Sequence, residues 1–321
     1  MPNLIDRVAA DLNVPKTLVS SALQNAFSRY RKVHIPKKSG GFRVALQPSS
    51  ELKMIQAWLL NNLLLNLPVS SISTAFGDGC STLRNARIHT DGLYSLKLDL
   101  ENFFPSIRFD DLKQLIVSRK SSLHEATADE DFFYVLQRSC FTSDNRMPVG
   151  YMTSPAIANA VMLGFDQALE LAITSDKDRF GDARISRYAD DFIFSTNKAG
   201  ACKEFLSAFL DLIAKTNSPK LTLNKSKTRF MSLRGGSTMV TGLRITQQGR
   251  VRVHSRYRDH VRLLLKLYSK NKLQKETLHE LRGHLSYIEF SDPQLFTKIS
   301  FRYHREISAL RAKGKLPFSH P

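Results

Sequence analysis

The sequence predicts an α+β fold, and three observations carry the prediction. Segments with the 3.6-residue period of helices and segments with the two-residue period of strands alternate irregularly, unlike the regular alternation of a doubly wound sheet. Two short apolar runs, over 33–47 and 184–195, fold back on themselves around turn residues, as antiparallel hairpins do. Charge is lopsided: residues 225–321 hold 21 Lys and Arg against 6 Asp and Glu, which is +15 of the chain's net +18. A nearly neutral body is thus followed by a basic C-terminal quarter, which favours a polyanionic partner over an ordinary solvated face.

Each element follows from its local pattern. Leu4, Ile5, Val8, Ala9 and Leu12 recur at helical spacing, and Pro15 ends or restarts that helix within residues 1–30. Residues 33–47 read as a hairpin turning at Ser39-Gly40-Gly41. Residues 51–67 form a helix with Leu52, Ile55, Leu59 and Leu63 on one face. A strand over 94–100 follows, then an Ala-, Leu- and Met-rich helix over 155–172, the hairpin over 184–195 and a helix over 202–214. Strands over 220–253 turn at Gly235-Gly236 and Gln248-Gly249, and basic amphipathic helices occupy 256–283 and 294–312.

Composition excludes several classes. At 42% hydrophobic and 24% charged residues, the chain of 321 residues has enough apolar surface for a large core and is not globally disordered. Cys80, Cys140 and Cys202 lie far apart, with no disulfide framework or zinc spacing, so a reducing, cytoplasmic setting is expected. The N-terminus carries early acids, unlike a signal peptide. Its most apolar stretch, Ala57 to Leu67, is interrupted by Asn61, Asn62 and Asn66 and falls far short of the roughly 20 residues of a membrane span.

The acidic residues of interest stand at strand ends. Asp99 closes the strand over 94–100, and Asp190-Asp191 sit at the tip of the second hairpin between Tyr188 and Phe192. Among 19 Asp residues a chance pair is unremarkable, and Asp110-Asp111 reads as an ordinary helix N-terminus. Asp190-Asp191 differ because their neighbours are apolar, so lost hydration demands a compensating charge. A divalent cation shared with Asp99 meets that demand, since Mg²⁺ prefers carboxylate and phosphate oxygens.

These segments resemble the reverse transcriptases, motif by motif. Arg187 to Asp191 is similar to their YxDD box, and Leu98 to Ile107 to their first metal-binding motif. Ile35 to Arg43, followed by Leu52-Lys53 and Ile55-Gln56, resembles their fingers motif. Met147-Pro148-Val149-Gly150 with Thr153-Ser154-Pro155 and Asn159 resembles the PQGxxxSP segment, and Asn224 to Thr228 a later palm motif. Two further marks, Asn85-Ala86-Arg87-Ile88-His89 (NAxxH) and Val240-Thr241-Gly242 (VTG), are those of retron reverse transcriptases.

The resemblance implies a right-hand polymerase fold: fingers over 1–92, a ferredoxin-like palm over 93–235 (with part of 110–155 packing on the fingers) and a helical basic thumb over 236–321. It implies RNA-directed DNA synthesis with two Mg²⁺ ions on Asp99 and Asp190, supported by Asp191. Phe104 would select deoxynucleotides by excluding a 2′ hydroxyl. Lys37 and Arg43, with Lys38 beside them, would reach the nucleotide triphosphate; the bland alternative is a solvated hairpin. Val149 and Gly150 would line the nucleotide pocket, and Val149 stands where the family usually has Gln. Lys227 is either a phosphate contact or a proton donor to pyrophosphate. Asn85 and His89 have an RNA-contact reading and a structural one. Val240, Thr241, Gly242, Arg256, Arg258 and Arg262 are expected at the RNA, within a dense basic run that also includes Arg250 and Arg252.

Implied partners are a cognate noncoding RNA (msr-msd) that serves as template and 2′-hydroxyl primer, its branched msDNA product, deoxynucleoside triphosphates and a separate effector or toxin protein in antiphage defence; no membrane is implied. A catalytically silent RNA-binding scaffold, and an abortive-infection or intron-type reverse transcriptase, are the competing readings. The intact carboxylates weigh against the first, and NAxxH with VTG against the second.

Overall fold

A computed structural model describes residues 3–37, 40–118 and 130–312. Lys38 and Ser39 of the first hairpin turn, and residues 313–321 of the basic quarter, lie outside the described residues. The chain begins with α1 (Leu4–Asp11), capped by the Asn3 side chain, and α2 (Lys16–Gln24). A hairpin of β1 (Tyr30–Pro36) and β2 (Phe42–Pro48) follows, then α3 (Ser50–Asn62), α4 (Thr82–Ile88), β3 (Tyr94–Asp99), α5 (Phe103–Ser106), α6 (Phe109–Ser118) and α7 (Glu130–Cys140). Next come α8 (Ser154–Val161), α9 (Leu163–Ser175), α10 (Lys177–Phe180), β4 (Arg184–Tyr188), β5 (Asp191–Thr196) and α11 (Ala201–Lys215). The C-terminal part holds β6 (Arg229–Ser232), β7 (Ser237–Val240), β8 (Leu243–Thr246), β9 (Val251–Val253), α12 (Ser255–Ser269), α13 (Thr277–Ser291), α14 (Pro293–Arg302) and α15 (His304–Ala312).

The central sheet is antiparallel with order β4-β5-β3-β6. Strand alternation divides its two faces. Phe192 and Phe194 of β5 turn to one side and meet Phe165, Phe205 and Phe209 of α9 and α11, with the Phe194 and Phe205 rings stacked at 4.2 Å. Ile193, between them, turns to the other side and joins a separate core with Leu83 and Ala86 of α4 and the apolar residues of β7–β9 and α12–α15. Helix α4 is therefore wedged between the central sheet and the C-terminal region. Helix α7 packs on the N-terminal helices: Arg138 Nε donates to Leu23 O at 2.8 Å, and Gln56 of α3 donates to Ser139 O at 2.7 Å.

This is the expected α+β architecture, but three predicted helices are broken. The one over 155–172 bends by 44° at Met162 between α8 and α9. The one over 256–283 stops where Asn271 takes a left-handed φ of 54°, a conformation that ends helices, and resumes at Thr277. The one over 294–312 is interrupted at Tyr303. In each case the apolar stripe continues across the break, so periodicity alone cannot see it. Among the described residues no single helix is long and apolar enough to cross a membrane.

Candidate active site

Asp99 and Asp191 face each other as register partners at the ends of β3 and β5. Asp190 stands beside them because Ala189 and Asp190 form the two-residue turn that joins Tyr188 to Asp191, with Ala189 at φ 57°. The turn is anchored where Leu100 N donates to Asp190 O at 3.0 Å. Three carboxylates are thereby gathered at one end of the sheet. Asp99 is only 4% exposed and the other two are half-buried. Burial first, then the charges of Asp191 and Asp99, raises the pKa of Asp190 above the usual carboxylate value. Burial also raises Asp191, against the opposing pull of Lys97.

Two lysines supply positive charge. Lys97 Nζ lies 2.7 Å from Asp191 Oδ2, while Asp191 Oδ1 is buried without a hydrogen-bond partner. Lys227 Nζ donates to both oxygens of Asp99, at 2.9 and 3.0 Å. Its approach is set by the chain around 221–224, where Glu101 N donates to Thr222 O and Asn224 N to Asp99 O, both at 2.8 Å. The short 3₁₀ turn Lys225–Lys227 then returns Lys227 to the carboxylates.

Beneath the turn lies a fully buried ion pair. Arg187 reaches Asp166 of α9 through Nε at 2.8 Å and Nη2 at 2.7 Å, with neither side chain exposed. Arg187 Nη1 also donates to Asn159 Oδ1 at 3.2 Å and to Ala189 O at 3.3 Å, so the acidic turn is held from below. Asn159 Nδ2 in turn donates to Ala75 O at 2.8 Å. This ties down the loop that carries Phe76, an aromatic residue at φ 67° and half exposed. The Phe76 ring centroid lies 6.4 Å from Phe104, which also contacts Phe103 at 5.5 Å.

Residues expected at the nucleotide fall on the adjoining hairpin. Lys37 and Arg43 are exposed at its turn end, where Arg43 pairs with Ile35, and among the described residues neither is in an ion pair. The hairpin is fixed to the body where Leu46 N donates to Val149 O at 2.7 Å. Gly150 is needed there: at φ 106°, a Cβ would come within 2.6 Å of Leu46 O. Lys38 lies outside the described residues.

The reverse transcriptase (RNA-dependent DNA polymerase) family profile matches residues 35–280. The retron Ec73 reverse transcriptase of Escherichia coli is 36% identical over 280 residues, covering 86% of this chain and 88% of the relative. The chain belongs to the retron reverse transcriptases. The retron Ec83 reverse transcriptase of the same organism is 25% identical over 283 residues and is covered over 87% of its length. Among solved structures, apo telomerase from Candida tropicalis is similar at TM-score 0.49 and 15% identity; the match covers 89% of this chain and 61% of that one.

This reverse transcriptase is an RNA-directed DNA polymerase, and enzymes of this class use divalent metal ions and an RNA template. Its two retron marks meet at one joint. Asn85 of α4 and His89 at its C-terminal cap are fully buried. His89 Nδ1 lies 2.7 Å from Ser195 Oγ and Nε2 2.7 Å from Ser186 Oγ, while Asn85 Oδ1 accepts from Ser186 at 2.6 Å and Thr74 at 2.9 Å. Removal from water depresses the His89 pKa to about 3, helped by the Arg184 charge. Of the two readings open from the sequence, this geometry is that of the structural one: they tie α4 to β4 and β5.

Thr241 and Gly242 form the two-residue turn between β7 and β8, both at positive φ, and Thr241 Oγ1 donates to Thr82 O at 3.0 Å at the start of α4. Val240, expected at the RNA, is fully buried, and the Thr241 hydroxyl is engaged with α4. Arg256 is exposed and Arg262 likewise, whereas Arg258 and Arg262 share Asp259 at 2.9 and 3.7 Å. Arg252, counted with the basic run, pairs with buried Asp292 at 2.7 Å. Lys97, Asp166 and Phe76 are neighbours of the candidate site that sequence patterns do not single out. Only Phe76 leaves a trace there, as a lone aromatic in the polar stretch Ser73 to Ser81.

Proposed function

We propose that this enzyme copies a cognate structured noncoding RNA, the msr-msd transcript, priming from the 2′ hydroxyl of an internal guanosine to leave a branched msDNA. The observation that carries the polymerase chemistry is the convergence of Asp99, Asp190 and Asp191 at one sheet end with an orphaned buried oxygen on Asp191. Asp190 and Asp191, which burial and neighbouring negative charge push toward protonation, stand with Asp99 as an all-oxygen set that suits hard divalent cations, so the donor set fits two Mg²⁺ ions. Asp99 and Asp190 would be the direct ligands, with Asp191 supporting them through its bond to Lys97. Bound there, the metal supplies activation of the primer hydroxyl and neutralisation of the leaving pyrophosphate.

The chain's own groups supply the rest. Lys227 is poised to move from Asp99 to the pyrophosphate and serve as its proton donor. Lys37 and Arg43 meet the triphosphate from the hairpin, where Arg offers a planar fork and Lys a point charge. Val149 and Gly150 line the pocket wall, and Phe104 occupies the space beneath the sugar. Residues 1–92, 93–235 and 236–321 serve as fingers, palm and thumb. The same reading gives the enzyme a cytoplasmic role in antiphage defence with a separate effector protein.

Asp190→Asn tests the core of this reading. Synthesis on the cognate RNA should fall by at least about a thousandfold, the scale of losing an essential charge at a reacting centre, while RNA gel shifts stay within twofold of the parent. A variant that keeps a tenth of parental synthesis would remove Asp190 from the metal. Recovery of branched RNA–DNA from the parent enzyme, and of none from the variant, tests the priming step separately.

A further inference from the structure

We propose that His260, Glu280 and His284 form a zinc site between α12 and α13, separate from the polymerase carboxylates. His260 lies on α12, and Glu280 and His284 stand one turn apart on the facing side of α13. One ligand atom from each lies within 4.8 Å of the others. The two imidazole rings meet edge to face with centroids 5.4 Å apart. His284 Nε2 sits 3.2 Å from Glu280 Oε1.

The other nitrogen of His284 is already committed. Its Nδ1 lies 2.6 Å from the Tyr257 hydroxyl, and the Tyr257 ring is itself held edge-on to Tyr287 at 5.5 Å. Without metal, Nε2–H donates to Glu280 and Nδ1 accepts from the tyrosine hydroxyl; with a cation on Nε2, the hydroxyl turns to accept from Nδ1–H and Nε2 offers its lone pair beside Glu280 and His260. This is how metal-binding histidines are oriented: one nitrogen ligates and the other is fixed by a hydrogen bond. A plain surface ion pair between Glu280 and His284 explains neither the tyrosine nor the position of His260.

The donor set selects the metal. Two imidazoles and a carboxylate suit Zn²⁺, whereas Mg²⁺ prefers oxygen ligands alone. Zinc bonds of about 2.0–2.2 Å place tetrahedral ligand atoms about 3.4 Å apart; Glu280 and His284 are already at 3.2 Å, and the remaining separations, up to 4.8 Å, must close by up to about 1.4 Å. His260 and Glu280 are exposed and free to turn that far. Three protein ligands leave the fourth position to water. The ion pins α12 to α13, and α12 is the helix that presents Arg256, Arg258 and Arg262.

The test uses the full chain, stripped of metal and kept in excess Mg²⁺, titrated with Zn²⁺ against a chromogenic chelator and with Co²⁺ by visible absorption. One Zn²⁺ per chain should bind at micromolar concentration or below, with a visible band for four-coordinate Co²⁺. Saturating Zn²⁺ should raise the parent's melting midpoint by roughly 5 °C. His260→Ala and His284→Ala should lose the band and the midpoint shift, and Glu280→Gln should weaken both. Tyr257→Phe should melt like the parent without zinc, yet bind zinc at least about tenfold more weakly, as expected of a residue that only orients a ligand. Parental stoichiometry and affinity in His260→Ala would overturn the site, as would displacement of the zinc by excess Mg²⁺. Should His284→Ala fail to fold, His260→Ala and Glu280→Gln decide the matter, because both change exposed side chains.

Discussion

Phe104 and Phe76 pose the question of what a single side chain does at a reacting centre. Phe104 lies between Phe103 and Phe76, its ring tilted against both. An aromatic residue at φ 67° is strained, and such strain persists only where surrounding bonds over-determine the loop. Here the hydrogen bond from Asn159 to Ala75 O does so. Phe104→Ala should raise ribonucleotide use relative to deoxynucleotide use by about tenfold to a hundredfold, the discrimination that steric fit in an apolar pocket supplies. Phe76→Ala should shift the ratio the same way by less, because it only loosens the Phe104 ring. Paired kcat/KM measurements check both, and an unchanged ratio in Phe104→Ala reduces that ring to packing. At His89 the readout is pH. Its buried pKa of about 3 lies below the usual 6.5, so the unfolded chain binds more protons between those values. The stability it contributes is complete above about pH 6.5 and drains as pH falls toward 3; by pH 5 about 2 kcal/mol has gone. Denaturant midpoints of the parent between pH 7 and 5 should therefore fall more steeply than those of His89→Gln.

Among elements, the β4–β5 hairpin is the one whose support is most concentrated. Asp166→Ala would strand the Arg187 guanidinium in a fully buried site, which costs about 3–5 kcal/mol, and would release the carbonyl of Ala189 from below. We expect a lower urea midpoint and a loss of synthesis larger than the loss of fold accounts for; a variant with parental stability would show that water reaches Arg187. Hairpins and strands were the legible elements. The alternation in 184–195 and the Gly-rich turn after Pro36 are local signals, and β4, β5, β1 and β2 lie close to where they predict. The carboxylates were legible for the same reason, since strand ends and tips are set by sequence neighbours. Helix breaks were not, because the turn at Asn271 interrupts an apolar stripe without altering it. Nor was the role of Asn85 and His89: their partners Ser186 and Ser195 are 97 to 106 residues away from His89 and carry no pattern of their own. Arg252 looked like one more basic surface residue until tertiary packing brought Asp292 to it.

At the scale of the whole molecule, charge and connectivity divide the work. Helix α4 and its cap hold the β4–β5 hairpin through His89 and the β7–β8 turn through Thr82, so the basic region is mounted on the same part that braces the candidate site. Substitutions in Val240-Thr241-Gly242 should thus disturb that mounting, whereas affinity for RNA should come from the exposed arginines of α12. Neutralising phosphates releases counterions, and each such neutralisation contributes about −0.7 to −0.9 to the slope of log K against log salt. Replacing Arg256, Arg258 and Arg262 with Gln should therefore flatten the slope by about 2 and weaken cognate and scrambled RNA alike. Asp259 gives a sharper version of the same argument. Its carboxylate lies 2.9 Å from Arg258 and 3.7 Å from Arg262, drawing on two of the three cations. Asp259→Asn keeps the shape and removes the competitor, so it should strengthen binding to both RNAs and steepen the slope by up to about 1. Filter binding across a salt series measures both variants. If Asp259→Asn binds like the parent while the triple variant is weakened, Arg256 alone meets the backbone, and Arg258 and Arg262 serve only to stabilise α12 through Asp259.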